Sequence, residues 1–93
     1  MNLCFLIGKV INEIDLKFVY NLKKNGLDKK HISIVEIELK LTDEQIIYLK
    51  AYNEIADYIY QHIKKNDFIA IEGKIRDNFI EIENLNRIEN VTS

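Results

Sequence analysis

Residues 51–75 read AYNEIADYIYQHIKKNDFIAIEGKI, and this stretch decides the fold. Ala51 and Tyr52 close a strand. A helix of about twelve residues follows, because Tyr52, Ile55, Ala56, Ile59 and Ile63 recur at helical spacing and make one apolar stripe. Asn53 suits the N-cap, and Glu54 and Asp57 suit the positive end of the helix dipole. Lys64 and Lys65 favour the other end, and Asn66 can take the left-handed conformation that stops a helix. Phe68 to Ile75 then reads as a strand, with Gly73 inside it.

Upstream, Gln45–Tyr52 alternates: Ile47, Leu49 and Ala51 point one way, and Ile46, Tyr48, Lys50 and Tyr52 the other. Thr42-Asp43-Glu44 is a short turn, so the strand before it is antiparallel. That strand, Ile32–Leu41, puts Val35, Ile37, Leu39 and Leu41 on one face, and Ile34, Glu36, Glu38 and Lys40 on the other. Asn21–His31 (NLKKNGLDKKH) reads as a loop with a turn at Asn25-Gly26 and lysines at 23, 24, 29 and 30. The first segment, Leu3–Ile11, is apolar on both faces, with Leu3, Phe5 and Ile7 on one and Cys4 and Leu6 on the other. Gly8 predicts a bulge or bend within it. The strand is expected to run on towards Phe18 or Tyr20 with a break near Asn12-Glu13. Downstream, Asp77-Asn78 makes a two-residue turn and Phe79–Leu85 pairs back. Five short strands with one helix between the third and fourth describe an all-β OB-fold, a partly open five-stranded Greek-key barrel. We assign it to residues 1–89, with 90–93 as a short tail.

Length and composition agree. A chain of 93 residues is one domain. Its 47% apolar and 30% charged residues suit a packed fold rather than disorder. No apolar run is long enough for a membrane span and no signal-peptide pattern opens the chain, so a cytoplasmic protein with no membrane role is expected. The single Cys4 has no disulfide partner, and no Cys/His cluster has zinc spacing, so no metal or other cofactor is expected. His31 and His62 are isolated and there is no phosphate-cradling glycine loop, so no enzymatic activity is expected. Net charge is −2, unevenly placed: residues 1–30 carry six lysines against Glu13, Asp15 and Asp28, and residues 31–93 are acidic. A basic surface can therefore sit beside an acidic one.

Two segments resemble the bacterial single-stranded DNA-binding (SSB) proteins. Leu6-Ile7-Gly8-Lys9-Val10 with Glu13, Asp15, Leu16, Lys17 and Phe18 resembles that family's LIGR[LV]…D-P-E-L-R-[YF] opening. Residues 51–75 resemble its A-F-G-K-L-A-E-x-I-x-x-Y-L-K-K-G-D-x-V-x-V-E-G-R-L stretch without a gap. The chain departs from that pattern in several ways. Ile14 stands for a proline, and Asn53 and Asn66 stand for glycines. The family's long hairpin arm is reduced to Asp77-Asn78. There is no tryptophan, and Glu89-Asn90-Val91-Thr92-Ser93 offers no partner-recruiting acidic tip. The resemblance implies sequence-nonspecific binding of single-stranded DNA in replication, recombination or repair, and adds nucleoid association to the cytoplasmic expectation.

A single strand is held by cations along its phosphates and flat side chains under its bases. Tyr48, Lys50 and Tyr52 supply both at period two, and the resemblance places Tyr52 at the family's base-stacking phenylalanine. Lys9 and Lys17 match basic positions of the first motif. Lys74 and Arg76 follow Gly73, where the family keeps an arginine, and Phe79 lies near an aromatic of the family's arm. Each of these has a bland alternative: a helix-capping or cross-strand aromatic, or a solvated surface charge. Glu36 and Glu38 share a face with Lys40 and would repel phosphate there. Two other functions stay open. One is an accessory factor resembling primosomal replication protein N, working with replication proteins. The other is a protein-interaction barrel with little DNA binding. RNA is also possible, since nothing here reads a 2′-hydroxyl. The apolar first strand predicts a homodimer or homotetramer covering its outer side.

Overall fold

The computed structural model describes residues 2–22 and 29–89. Its elements are β1 (Leu3–Val10), β2 (Leu16–Leu22), β3 (Lys29–Lys40), β4 (Ile46–Tyr52), α1 (Asn53–His62), β5 (Phe68–Ile75) and β6 (Ile80–Ile88). They form one sheet in the order β1-β5-β6-β4-β3-β2. An added β1–β3 pairing, Lys9 opposite Lys40 and Val10 opposite Leu39, closes β1, β5, β6, β4 and β3 into a barrel. All pairings are antiparallel except β4–β6, where Leu49 faces Ile80 and Lys50 faces Glu81. The expected OB barrel is present, with its helix between the strands expected as third and fourth.

The first and second strands differ from expectation. The break expected near Asn12-Glu13 falls over residues 11–15, but β2 does not then prolong β1. It forms a hairpin with β3 instead, from Leu16 opposite Val35 to Leu22 opposite Lys29. The loop expected over Asn21–His31 is corrected at both ends, where β2 runs to Leu22 and β3 begins at Lys29. The ladder satisfies main-chain groups that a loop would leave to water. The turn expected at Asn25-Gly26, the lysines 23 and 24, the side chains of Lys29 and Lys30, and the tail 90–93 lie outside what the structure describes.

Alternation puts Val35, Ile37 and Leu39 of β3, Leu49 and Ala51 of β4, and Ile69 and Ile71 of β5 in the core. Ala56, Ile59 and Ile63 of the helix stripe join them. A fully buried isoleucine is worth about 1.5–3 kcal/mol over an exposed one, so this set outweighs any single surface pair. Two features of the helix are corrected. It ends at His62, leaving Lys64 and Lys65 in the following turn, and it has no side-chain cap. Tyr52 occupies the cap position, and Asn53 takes a φ of 57°. Asparagine tolerates that left-handed backbone better than most residues. Asn66, at φ 80°, makes the expected stop.

Both strand glycines are demanded by close approach. A Cβ on Gly8 would lie 2.6 Å from the Lys40 carbonyl oxygen, and one on Gly73 would lie 2.5 Å from that of Glu81. Of the bulge or bend expected at Gly8, no bulge forms against β5, since β1 and β5 stay in register. The register shift falls at Glu72/Gly73 against β6. Cys4 is half-buried. Among the described residues no helix is long and apolar enough to cross a membrane.

Candidate nucleic-acid interface

Strands β3 and β4 pair in register from Ile34 opposite Tyr52 to Lys40 opposite Ile46. Residues whose neighbours fill the core therefore point outward together: Glu36 beside Lys50, Glu38 beside Tyr48, Ile34 beside Tyr52. Glu36, Glu38, Tyr48 and Lys50 line one side of a groove of about 420 Å³, whose other rim is Asn78 and Phe79 of the β5–β6 turn, and Ile34 and Tyr52 lie on the same face beyond it. That turn is the tight one expected, closed by the Arg76 N–H donating to the Phe79 carbonyl at 2.9 Å.

Expected site residues fall at different places around this groove. Tyr48 is well exposed, with 59% of its surface open, while Phe79 is half-buried beneath Lys50. The Lys50 ammonium lies 4.6 Å from the Phe79 ring centroid, a cation–π contact. Tyr52 is half-buried. Burial pushes its phenol pKa up, Glu81 and Glu36 add to the rise, and Arg76 opposes it. It therefore presents a neutral ring at physiological pH. Arg76 is held by Glu81, with Nε and Nη2 at 2.9 and 2.7 Å from one carboxylate oxygen. Lys17, on β2 opposite Ile34, extends the face past Tyr52. Lys9 sits at the opposite end, beside Lys40. Lys74 lies two strands from Lys50, and its ammonium turns to Glu83 at 3.2 Å.

Several features of this face were not legible in the sequence. Lys74, Glu81, Lys50 and Glu36 stand in register across β5, β6, β4 and β3, a belt of alternating charge. Glu36 takes Lys17 at 3.4 Å and Lys50 at 3.9 Å, so it partly neutralises the cations instead of standing as a bare negative charge. Asn12 is a second surprise. Neither β1 nor β2 pairs with β3 at residues 36–38. There Asn12 Nδ2 donates to the Glu36 carbonyl at 3.0 Å and its Oδ1 accepts from the Glu38 N–H at 2.8 Å. The side chain stands in for a missing piece of strand.

The third concerns the β2–β3 hairpin. Phe18 and Tyr20 set their rings edge-on to His31, with centroids 5.5 and 6.3 Å away. Phe18 is opposite Ser33, whose side chain is buried, so this cluster continues the core-facing side beyond the barrel. Alternation in LKFVY and KKHISIV carried the signal, but only once the hairpin was recognised.

The fold matches solved structures. An SSB domain from Synechococcus sp. has a TM-score of 0.73 at 15% identity, covering 91% of this chain and 93% of that one. The single-stranded DNA binding protein from Thermus aquaticus has a TM-score of 0.77 at 18% identity, covering all of this chain and 43% of that one. A deletion mutant of the Thermus protein gives 0.75 at 19% identity with the same coverage. This chain thus spans less than half the length of the Thermus proteins. No protein-family profile matches the chain, and no curated protein sequence does. At these identities the likeness establishes the SSB-type OB barrel as the fold.

Proposed function

We propose that this protein binds single-stranded DNA, with little sequence preference, along the outer face of β3 and β4. The observation that carries the reading is Tyr48, Lys50 and Tyr52 on one face of β4, with Tyr48 and Lys50 lining a groove rimmed by Phe79. Bases stack on the rings, while Lys17, Lys50 and Arg76 take the phosphates, with Lys9 and Lys40 at the far end. The printed descriptions of the similar structures, which name SSB domains and single-stranded DNA binding, support the same reading. A role in replication, recombination or repair follows from the ligand.

The test is fluorescence anisotropy of a labelled 35-nucleotide single strand of mixed sequence, at low and high salt, beside a duplex and an RNA strand of equal length. Binding to the single strand that weakens with salt, and is absent for duplex, is expected. Equal binding of RNA would widen the ligand class. Because the groove cations already meet carboxylates, the salt slope should be shallower than the number of contacted phosphates implies.

That same neutralisation, with a net charge of −2, favours a second reading: an interaction barrel or a primosomal-type accessory protein that meets a replication partner. Absence of binding to every strand at low salt would select it.

We also propose self-association through β1. From Leu3 to Gly8 one edge of β1 is unpaired among the described residues, since β3 meets it only at Lys9 and Val10. Leu3, Phe5 and Ile7 face outward, 45%, 67% and 48% exposed, and continue into exposed Phe68 and Ile88. A second copy covers this edge by pairing its own β1 across a two-fold axis, since an isologous contact matches an apolar edge with itself. Light scattering should give at least twice the 11.0 kDa chain mass. A clean monomer at tens of micromolar would refute the assembly.

A further inference from the structure

Glu38 differs from the other acidic residues around the groove. Glu36 is held by Lys17 and Lys50, Glu81 by Arg76, and Glu83 by Lys74. Glu38 is half-buried, lines the groove directly opposite Tyr48, and has no basic side chain at ion-pair distance among the described residues. Its backbone is fixed on both sides. Its N–H donates to Asn12 Oδ1 at 2.8 Å, and its carbonyl accepts from the Ile11 N–H at 3.0 Å. The carboxylate is thus an acceptor-only group, held beside an exposed aromatic ring and across the cleft from Phe79.

A carboxylate facing a phosphate repels it, whereas one facing the edge of a stacked base accepts hydrogen bonds from it. Bases differ sharply in what they offer. Guanine presents N1–H and the 2-amino group side by side, a match to two carboxylate oxygens. Cytosine and adenine present one amino group next to an acceptor. Thymine presents N3–H between two carbonyl oxygens, which a carboxylate repels.

We propose that the cleft between Tyr48 and Phe79 is a nucleobase subsite in which the Glu38 carboxylate reads the amino edge of the stacked base, favouring guanine and disfavouring thymine. This rests on the single-strand reading above and adds a bias at one position of an otherwise sequence-tolerant groove. The Lys50 ammonium over Phe79 sits where it can take the phosphate beside that base.

The experiment compares three labelled strands of equal length at one salt concentration: alternating d(TG), alternating d(TI) with inosine for guanosine, and all-thymidine. Inosine lacks only the 2-amino group. The natural chain should bind d(TG) about tenfold more tightly than all-thymidine, with d(TI) between them. Glu38→Gln should collapse that ratio to near one while still binding every strand, more tightly overall because a negative charge is gone. The ratio is the readout, since loss of charge alone raises affinity for all three strands together. An unchanged unfolding midpoint of Glu38→Gln confirms that the main-chain bonds to Asn12 and Ile11 remain. Equal binding of the three strands by the natural chain, or a ratio that survives Glu38→Gln, overturns the subsite and leaves the single-strand reading intact. No binding to any strand overturns both.

Discussion

The outer face of β3–β4 and the outer face of β1–β5–β6 are built by the same period-two alternation, yet they are different surfaces. On the first, Tyr48 and Tyr52 are interleaved with Lys50, Glu36 and Glu38, and a turn residue, Phe79, raises a second wall. On the second, Leu3, Phe5, Ile7, Phe68 and Ile88 form an apolar stretch beside an unpaired strand edge. Charge interleaved with aromatics suits a wet, salt-sensitive ligand, and an apolar edge suits another protein surface. Alternation says which residues point outward. What the neighbouring strand sets beside them says what they can meet.

The comparison breaks most completely where the two faces share a hinge. Gly8→Val places side-chain atoms against the Lys40 carbonyl, where even a Cβ would be 2.6 Å away. Strand β1 must then leave β3, opening the barrel under both faces. We expect a loss of about 3 kcal/mol or more, seen as a lower denaturant midpoint, with binding and assembly failing together. Failure of only one function would mean that the faces do not depend on a common closure.

The next test separates them. Tyr52→Ala should weaken single-strand binding by about 1–3 kcal/mol and leave the assembly mass unchanged. Phe5→Glu should do the reverse, giving a monomer by light scattering that still binds a strand. If Tyr52→Ala dissociates the assembly, or Phe5→Glu alone abolishes binding, the division of labour is wrong.

A smaller effect sharpens the first face. Asn12→Ala removes both side-chain hydrogen bonds to β3 at Glu36 and Glu38. The cost to thermal stability should be about 1–2 kcal/mol, with faster amide exchange at Glu38. The smallest effect is expected at the edge of the belt. Lys74 is engaged with Glu83 on an exposed surface, two strands from Lys50. Lys74→Ala should change strand affinity by less than about 0.5 kcal/mol. A larger loss would extend the binding face across β6.

Much of this was legible in the chain itself, and particular residues show why. The helix stripe Ile55, Ala56, Ile59 and Ile63, the stop at Asn66 and the inward set Val35, Ile37 and Leu39 are local patterns, since a residue's neighbours along the chain fix its face. The outward trio Tyr48, Lys50 and Tyr52 followed from the same rule. The β2–β3 hairpin is not legible this way, because the polar, lysine-rich stretch Asn21–His31 has the composition of a loop, and only cross-strand pairing makes its ends a ladder.

The sequence by itself determined the barrel, the place of its helix, and which side chains of β3 and β4 face outward. All three rest on short-range periodicity, which a linear chain displays directly. Only the tertiary structure decided that Glu36 is shared between Lys17 and Lys50, that Asn12 completes an interrupted ladder, and that Glu38 stands beside Tyr48 with no basic partner among the described residues. Those are contacts between residues up to 26 positions apart, set by strand register and by the close approach at Gly8. Alternation tells a residue's side but not its neighbour, and electrostatics depends on the neighbour.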